Sequence, residues 1–391
     1  MPDILVSMAV SKRLEPFGVT IFSEITDLAR RHDAINLGQG FPNWDGADFV
    51  KEAAAKSMAE GGHDQYPPSP GVPELREAIA NRYGPFLGRQ LDPDTEITVT
   101  CGCTEALAAT FIGLINPGDE VVLIEPTYDA YPVDVALAGA MPRYVTLRPP
   151  GFELLESDLR AVISERTRAI VVNNPHNPTG RVLTDTELGT IARLCVEFDV
   201  IAICDEVYEE MTFEAAHRRL AAFEGMWERT ITLSSLGKTF SLTGWKVGWA
   251  IGPPHLTAGL RSAHQYLTFT TPTPVQHGAV AAMTAPQSFL DEMRSDYRAK
   301  RNLLAAGLTE SGFDVYDAQG TYFLMAGHGF FGFEDDRVFC RHLIENAGVA
   351  AIPPSAFYHD PADGAPLVRF AFCKDQSTLA EALDRISRLR P

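Results

Sequence analysis

The sequence predicts an α/β protein: a large domain with a mostly parallel seven-stranded sheet between helices, plus a smaller α+β domain. Seven short apolar runs recur between about residues 95 and 255, separated by loops and helical patterns. Several runs, such as RAIVV and VIAIC, are apolar at consecutive positions, which is typical of strands covered on both faces. A length of 391 residues also exceeds what one compact core usually serves.

The elements follow in order along the chain. The predicted strands are EITVTCG, EVVLIEP, PRYVTL, RAIVVNN, VIAICDE, RTITLSS and VGWAIG. Amphipathic segments such as TEALAATFIGLI predict the helices between them, and FLDEMRSDYRAKRNLLAAGLTES predicts a long helix before strands near YFLMA and LVRFAF. We therefore expect a large domain at 45–285 and a small domain built from 1–44 and 286–391.

Composition restricts the class of function. The net charge of -18 argues against a nucleic-acid partner, because duplex binding requires many Lys and Arg. No run of ~18 apolar residues predicts a membrane helix, and the first residues, MPDILVSMAV, lack the basic segment of a secretion signal. Six scattered cysteines favour reduced thiols. We expect a cytoplasmic protein without membrane or nucleic-acid partners.

Cys101 and Cys103 form a C-x-C motif on a predicted strand. No second cluster of Cys or His completes the ligand set that zinc requires. We predict no bound metal.

Unusual residues follow the predicted strands at their ends, where open α/β sheets bind ligands. After EITVT, Gly102 allows a tight turn and Thr104 opens a helix whose free N–H groups suit a phosphate. An ordinary threonine N-cap is the alternative. After VVLI, the loop EPTYDAY places Tyr128, which without a ligand is a packed rim residue.

The next two strands end in amides and a carboxylate. RAIVV leads into NNPHNPTG, where Asn173 and Asn177 offer amide groups in a turn rich in Pro and Gly. VIAIC leads into DEVYEEM, so Asp205 directly follows an apolar run, and a buried carboxylate needs a cation or several donors. Tyr208 lies on a similar side if a helical turn begins there. A helix-capping aspartate is the other interpretation.

TITL leads into SSLGKTFSLTGWKVGWA, which holds Lys238 and Lys246 and no acidic residue. A lone loop lysine is usually solvated, but here five strand ends supply an anion-binding turn, an aromatic face, amides, a carboxylate and a lysine. Pyridoxal phosphate requires this set: a lysine amine for a Schiff base, an acid for the pyridinium nitrogen and donors for the phosphate. Lys246, Ser235 and the Gly102 turn are the predicted phosphate donors.

The chain contains six stretches that span nearly its whole length: LGQGFPNWDG, QYPPSPGVPELREAIA, NNPHNPTG, DEVYE, SLGKTFSLTGWKVGW and VRFAFCKD. Together they resemble the fold-type I pyridoxal-phosphate aminotransferases of class I/II. Within these, the chain looks most similar to the group of kynurenine aminotransferases, cysteine-S-conjugate β-lyases and methionine aminotransferases. The resemblance implies transfer of an amino group to a 2-oxo acid from an apolar or aromatic L-amino acid of kynurenine, glutamine, methionine or phenylalanine type.

The resemblance also implies residue roles around the cofactor. Lys238 carries the Schiff base and moves the proton of the substrate α-carbon, while Asp205 pairs with the pyridine nitrogen. Tyr208 and Asn177 bind the phenolic oxygen, and Tyr128 stacks on the ring. The full set implied to bind cofactor is Gly102, Cys103, Thr104, Tyr128, Asn173, Asn177, Asp205, Tyr208, Ser235, Lys238, Lys246 and Tyr66.

For the substrate, the resemblance implies that Arg369 grips the carboxylate with help from Asn177 and the Gly38 backbone. The residue type agrees, because Arg369 interrupts the apolar strand PLVRFAF and a guanidinium can clamp a carboxylate through two bonds. A surface arginine on an edge strand is the alternative. Phe22 and Tyr322 are implied to be further aromatic lining.

Two aromatic residues are implied to act across a subunit boundary. In this family Tyr66 reaches the phosphate of the neighbouring subunit, and Phe269 lines the pocket of the partner. The resemblance therefore implies a homodimer with shared active sites.

One alternative keeps the cofactor and changes the reaction to β-elimination from cysteine conjugates or cystathionine, with release of pyruvate and ammonia. Both reactions begin with loss of the α-proton, so the same residues serve either. A ligand sensor fused to a DNA-binding domain lacks its helix-turn-helix extension in this sequence.

The segment GHGFFG at 327–332 matches a dinucleotide-binding pattern by its letters alone. Glu334, Asp335 and Asp336 occupy the start of the helix that follows, and acidic residues there repel a phosphate. We predict a loop and a capped helix instead of a nucleotide site.

Overall fold

All seven apolar runs are strands of one sheet in the computed structural model, which describes residues 10–390. Residues 1–9, which hold most of the N-terminal apolar run and the start of the predicted small domain, lie outside the described residues, as does Pro391. The strands are β1 (Ile35–Asn36), β2 (Ile97–Thr100), β3 (Glu120–Glu125), β4 (Met141–Thr146), β5 (Thr167–Asn173), β6 (Ile201–Asp205), β7 (Thr230–Ser235), β8 (Gly248–Ile251), β9 (Asp314–Val315), β10 (Phe323–Gly327), β11 (Val349–Ala350) and β12 (Leu367–Ala371).

Helices fill the connections between these strands. They are α1 (Ile21–Arg31), α2 (Asp48–Glu60), α3 (Pro73–Leu87), α4 (Gly102–Leu114), α5 (Ala130–Leu137), α6 (Glu156–Val162), α7 (Asp185–Phe198), α8 (Leu236–Thr239), α9 (Pro254–Leu267), α10 (Thr273–Met283), α11 (Gln287–Glu310), α12 (Asp336–Ala347), α13 (Pro361–Gly364) and α14 (Gln376–Ile386). The sequence explains some of their ends, since Thr184 and Glu187 form a capping box at the start of α7.

The large sheet has the strand order β2-β8-β7-β6-β5-β3-β4. The pairs from β7 to β4 are parallel, whereas β8 is antiparallel to both β2 and β7. The predicted mostly parallel sheet is therefore confirmed. Because β8 runs the opposite way, its first residue, Gly248, pairs with the last residue of β7, Ser235. The segment that enters β8 thus lies at the edge where the parallel strands end.

Side chains of the central strands alternate between two hydrophobic clusters. Ile201 and Ile203 of β6 pack with residues of α4 and α9, while Ala202 and Cys204 pack with residues of α7 on the other face. Both faces are thus covered, which is why the strands are apolar at consecutive positions.

The N-terminal residues pack with the C-terminal part of the chain. Ile35 of β1 pairs with Val349 of β11 in a parallel register, and β9, β10 and β12 form a separate antiparallel sheet. One hydrophobic cluster includes residues of α1, α11, α12 and α14, together with β10 and β12. The division into 45–285 against 1–44 with 286–391 stays a prediction.

The GHGFFG segment begins at Gly327, the last residue of β10, and continues as a loop with one short 3-10 turn. The side chain of Asp335 then caps α12 by accepting a hydrogen bond from the Val338 amide at 2.8 Å. The prediction of a loop and a capped helix is confirmed.

The expectation that the C-x-C motif lies on a strand is wrong. β2 ends at Thr100, and Gly102, with a φ of 77°, begins α4, so Cys103 lies in a helix. All six cysteines are unpaired thiols. Between residues 10 and 390, no group of three or more His, Cys, Asp or Glu is arranged to hold a metal ion. None of the helices in that range has the length and apolar character needed to cross a bilayer.

Asp134 on α5 is a buried acid, and its Oδ2 has no hydrogen-bond partner among the described residues. Burial raises the pKa of Asp134 to about 7. Between about pH 4 and pH 7, Asp134 is therefore protonated in the folded protein and ionised in the unfolded chain. The free energy of unfolding should fall as the pH rises through this range.

We expect Asp134→Asn to remove this decline and to raise the free energy of unfolding by ~2 kcal/mol at pH ~8. Chemical denaturation at pH ~5 and pH ~8 measures the effect. Asp317→Asn, at an exposed position, is the control. An equal pH dependence in Asp134→Asn and the wild type would show that Asp134 is not the responsible group.

Candidate active site

A cavity of ≈ 330 Å³ opens at the edge where the parallel strands end. Each of the five strand-end segments singled out from the sequence contributes to it. The residues that line the cavity are Phe22, Gln39, Gly40, Gly102, Cys103, Thr104, Leu107, Tyr128, Tyr131, Asn173, Asn177, Asp205, Val207, Tyr208, Ser235, Gly237, Lys238, Thr243, Lys246, Val247, Phe323 and Arg369.

Asp205 is the last residue of β6 and is 4% exposed. Its carboxylate accepts hydrogen bonds from the Tyr131 hydroxyl at 2.8 Å and the Val207 amide at 3.3 Å, and the Cys103 thiol lies 3.7 Å away. Burial raises the pKa of the Asp205 carboxyl, while the Tyr131 hydroxyl acts to lower it. These contacts are all with neutral groups, so the carboxylate suits a cationic ligand group in the cavity.

Lys238 lies on α8, a single helical turn directly after β7. Its Nζ donates a hydrogen bond of 3.0 Å to the hydroxyl of Tyr322, which in turn donates to the Gly40 carbonyl. Burial lowers the pKa of the Lys238 ammonium, with the nearby Cys373 and Asp205 acting to raise it. A lysine amine that deprotonates readily can serve as nucleophile and base.

The position of Tyr322 differs from the expectation that it lines the pocket. Tyr322 is fully buried and is not among the cavity-lining residues. Its ring packs edge-on against Tyr208, with ring centroids 5.3 Å apart. Tyr322 therefore orients Lys238 from outside the cavity, because its hydroxyl hydrogen-bonds both Nζ and the Gly40 carbonyl.

A buried ion-pair network fixes the turn that holds Asp205 and Tyr208. The guanidinium of Arg219 binds the carboxylates of both Glu206 and Glu209, and Glu209 also accepts hydrogen bonds from Ser234 and Tyr83. Burial opposes the charge of Arg219, but Glu209 and Glu206 raise its pKa. Because buried charges are stable only when paired, this network holds the turn in one arrangement.

The start of α4 forms a cradle with Lys246. A Cβ at Gly102 would lie 3.3 Å from Nζ of Lys246, and a Cβ at Gly248 would lie 2.6 Å from the carbonyl carbon of Gly102. Only glycines permit this approach of backbone and ammonium. The first N–H groups of a helix lack intrahelical acceptors, so Cys103 and Thr104 offer donors beside a cation, as a phosphate requires.

Arg369 and Asn177 meet on the other side of the cavity. The guanidinium is 1% exposed and donates to Asn177 Oδ1 at 3.1 Å and to the Gly38 carbonyl at 2.9 Å. Its buried Nε has no partner among the described residues. Burial lowers the pKa of Arg369 to about 10. Arg369 is therefore not a surface arginine, and it retains a donor for a carboxylate.

Asn173 contributes by holding this region in place. Its Oδ1 accepts from the Asn177 amide at 2.7 Å, and its Nδ2 donates to the Asp205 carbonyl at 2.9 Å. Asn173 thus joins the ends of β5 and β6.

Tyr66 and Phe269 do not line this cavity. Tyr66 is 83% exposed and Phe269 is 45% exposed, and their rings pack edge-on with centroids 5.3 Å apart. Exposed aromatic pairs of this kind are typical of surfaces that contact another chain.

Several residues of the cavity are not among those predicted from the sequence. Tyr131 is the most important, because it donates to Asp205. It lies in the quoted loop EPTYDAY, three residues after Tyr128, and would face the same ligand if a helix began there. Gln39 and Phe323 also line the cavity. No local pattern distinguishes these two residues from ordinary loop or core residues.

The fold and the site define a pyridoxal-phosphate enzyme of fold type I. The family model described as Aminotransferase class I and II matches residues 32–386. The chain therefore belongs to the class I and II aminotransferases, which depend on pyridoxal 5'-phosphate, and it is a transaminase.

Several relatives and solved structures are similar over nearly the whole chain. A probable N-succinyldiaminopimelate aminotransferase of Mycobacterium tuberculosis is 49% identical, with 98% of each chain covered. The methionine aminotransferase of Escherichia coli is 39% identical, covering 96% of this chain and 97% of its own. The structure of the Mycobacterium tuberculosis N-succinyldiaminopimelate aminotransferase has a TM-score of 0.94 at 48% identity, covering 97% of this chain and 99% of its own. The resemblance to kynurenine and methionine aminotransferases is confirmed.

The residues present fit this cofactor. A buried carboxylate with neutral neighbours suits a protonated ring nitrogen, and the cradle of Gly102 and Lys246 suits a phosphate. The amine of Lys238 lines the same cavity.

We expect Tyr131→Phe to raise the pKa of Asp205, because the variant loses a hydrogen bond to the charged carboxylate. The acid limb of the pH–rate profile should move to higher pH, and kcat/KM should fall about tenfold. Tyr144→Phe, on the edge strand β4, is the control. An acid limb that coincides with that of the wild type would contradict the role of Tyr131.

Proposed function

We propose that the enzyme transfers the amino group of an apolar or aromatic L-amino acid, of kynurenine, glutamine, methionine or phenylalanine type, to a 2-oxo acid. The observation that carries the proposal is the surroundings of Arg369. Its guanidinium carbon lies 4.0 Å from the ring centroid of Phe323 and 5.2 Å from that of Phe22. Arg369 is the only arginine among the described residues that line the cavity. The α-carboxylate of the substrate would bind its guanidinium. The side chain of the substrate would then lie near the rings of Phe22 and Phe323.

The relatives at 49% identity support a second candidate donor, an N-succinyl diamino acid. In N-succinyldiaminopimelate, two further carboxylates lie far from the amino group that reacts. Such anionic groups are best paired with further cations. Among the described residues, the cations that line the cavity are Lys238, Lys246 and Arg369, and each of them has another proposed role. This difference favours the apolar donor. The substrate experiment therefore compares apolar or aromatic donors with the succinylated donor.

We assign the following roles to the residues of the site. Pyridoxal phosphate, when bound, supplies an aldehyde for the amino group and a ring that accepts electrons from the α-carbon. The Asp205 carboxylate would keep a proton on the ring nitrogen, and Tyr208 and Asn177 would donate to the phenolic oxygen. Tyr128 would cover one face of the ring. Donors for the phosphate would be Ser235, Lys246 and the backbone amides of Cys103 and Thr104.

Lys238 would take the proton from the α-carbon and return it to the adjacent cofactor carbon. Its lowered pKa keeps a fraction of the amine free to accept that proton. The Tyr322 hydroxyl orients Nζ, because the hydroxyl is held by its bond to Gly40. Arg369 would orient the substrate through the carboxylate, with its own plane fixed by Asn177 and Gly38.

We also propose a homodimer in the cytoplasm. The exposed pair Tyr66 and Phe269 supports a contact in which each chain completes the site of its partner. Six unpaired thiols support a reducing compartment.

A substrate panel tests the proposed reaction. We expect purified enzyme to form oxo acid from methionine, phenylalanine, kynurenine or glutamine with a 2-oxo acid acceptor, at a kcat/KM at least about tenfold above that for N-succinyl-L,L-diaminopimelate. Pyruvate release from a cysteine S-conjugate, measured in parallel, reports the β-elimination alternative. Efficient elimination without transamination, or a preference for the succinylated donor, would contradict the proposal.

The two lysines of SSLGKTFSLTGWKVGWA should separate by their effects on cofactor binding. We expect Lys238→Ala to lose the absorbance of covalently attached cofactor and to lower kcat by ~100-fold or more, because nucleophile and base are removed. Lys246→Ala should keep covalent attachment and weaken cofactor affinity about tenfold, because one charge-assisted bond to the phosphate is lost. Covalent attachment in Lys238→Ala together with its loss in Lys246→Ala would reverse the assignment. Lys56→Ala, at an exposed position on α2, is the control.

A further inference from the structure

His264 of α9 is a buried histidine that the proposed mechanism does not use. It is 0% exposed. Its Nδ1 lies 3.0 Å from Oε1 of Glu105, and its Nε2 lies 2.9 Å from the carbonyl oxygen of Ser69. The ring therefore joins two segments that are far apart in the sequence.

One joined segment borders the proposed phosphate site, and the other lies beside the aromatic pair that is proposed to act in the partner's site. Glu105 lies in the first turn of α4, and its Oε2 accepts from the Cys101 amide at 3.1 Å, directly before the phosphate cradle. Ser69 follows Tyr66 closely, and its hydroxyl donates to the Phe269 carbonyl at 2.7 Å. His264 thus lies between the N-terminal end of α4, where the phosphate is proposed to bind, and the segment that contains Tyr66 and Ser69.

The partners of the ring indicate its protonation state. A carboxylate and a carbonyl oxygen only accept hydrogen bonds, so both ring nitrogens must donate to satisfy them, and only the imidazolium has two N–H groups. The Thr268 hydroxyl lies 3.3 Å from Nδ1, farther than Glu105, and can donate or accept.

The charged groups that face the ring have opposite signs. Burial acts against the charged ring, but the hydrogen bond and charge of Glu105 outweigh it and raise the pKa of His264. Arg261, one turn earlier on α9, acts in the opposite direction. The segment around Ser69 contributes a backbone carbonyl that favours the charged ring.

We propose that His264 is a buried imidazolium and a positioning residue, which fixes the Tyr66 segment relative to the phosphate-binding start of α4. The inference rests on the proposed phosphate site for its effect on cofactor binding. Loss of the ring proton leaves one of the two hydrogen bonds unmade. The connection therefore holds below the raised pKa of His264 and weakens as the pH rises through it.

Cofactor affinity across pH tests the proposal in the full-length enzyme. We expect His264→Gln to raise the dissociation constant of pyridoxal phosphate about tenfold at pH ~6, because a glutamine can replace only one of the two bonds. As the pH rises through the raised pKa of His264, the ratio of variant to wild type should approach one, because the neutral histidine also makes only one bond. In a Glu105→Gln background, the same ratio should approach one at a lower pH, because loss of the carboxylate lowers the pKa of His264. A ratio that stays constant with pH would overturn the imidazolium assignment.

Hydrogen exchange of the holoenzyme tests the connection without reference to catalysis. In His264→Gln, amide exchange should rise together in residues 65–72 and 101–105. A rise in only one of these segments would overturn the positioning role. His255→Gln, at an exposed position on the same helix, is the matched control and should leave both readouts unchanged.

The two readouts also separate this inference from the proposed function. Failure of the wild type to bind pyridoxal phosphate would refute the proposed site, while the exchange experiment would still decide whether His264 connects the two segments. If His264→Gln does not fold, Glu105→Gln provides the same pair of measurements with the ring intact.

Discussion

The site depends on the alignment of parallel strands whose carboxyl ends lie at one edge of the sheet. Asn173 at the end of β5 pairs in register with Asp205 at the end of β6, and β7 ends alongside them. The reversed strand β8 brings Lys246 to the same edge, because its amino end lies there. Groups from distant parts of the sequence therefore surround one cavity, as expected for ligand sites in open α/β sheets.

This alignment places several charges inside the protein. Arg219 binds Glu206 and Glu209, which fixes the turn of Asp205 and Tyr208. Asp205 itself contacts neutral donors, whereas the Nε of Arg369 has no hydrogen-bond partner between residues 10 and 390. Buried charges without partners are costly, so we propose that a cationic ring and an anionic substrate are the groups that complete the site.

The relatives are similar to this chain over nearly its whole length, but they are named for different amino donors. The chain is 49% identical to a probable N-succinyldiaminopimelate aminotransferase and 39% identical to a methionine aminotransferase. A difference in the distal part of a donor is worth only a few kcal/mol, so a few contacts decide specificity on a common scaffold. In this chain we propose that the aromatic residues around Arg369, Phe22 and Phe323, make such contacts.

The sequence by itself determined the strands, their burial on both faces and the strand-end residues Lys238 and Asp205, because apolar periodicity and local turn chemistry are encoded over a few neighbouring residues. It did not reveal that Tyr131 donates to Asp205, that Tyr322 supports Lys238 instead of lining the pocket, or that His264 joins two distant segments. Only the tertiary structure decided these contacts. They join residues with large sequence separations, or they depend on which side of a helix faces the cavity, and no local pattern specifies either.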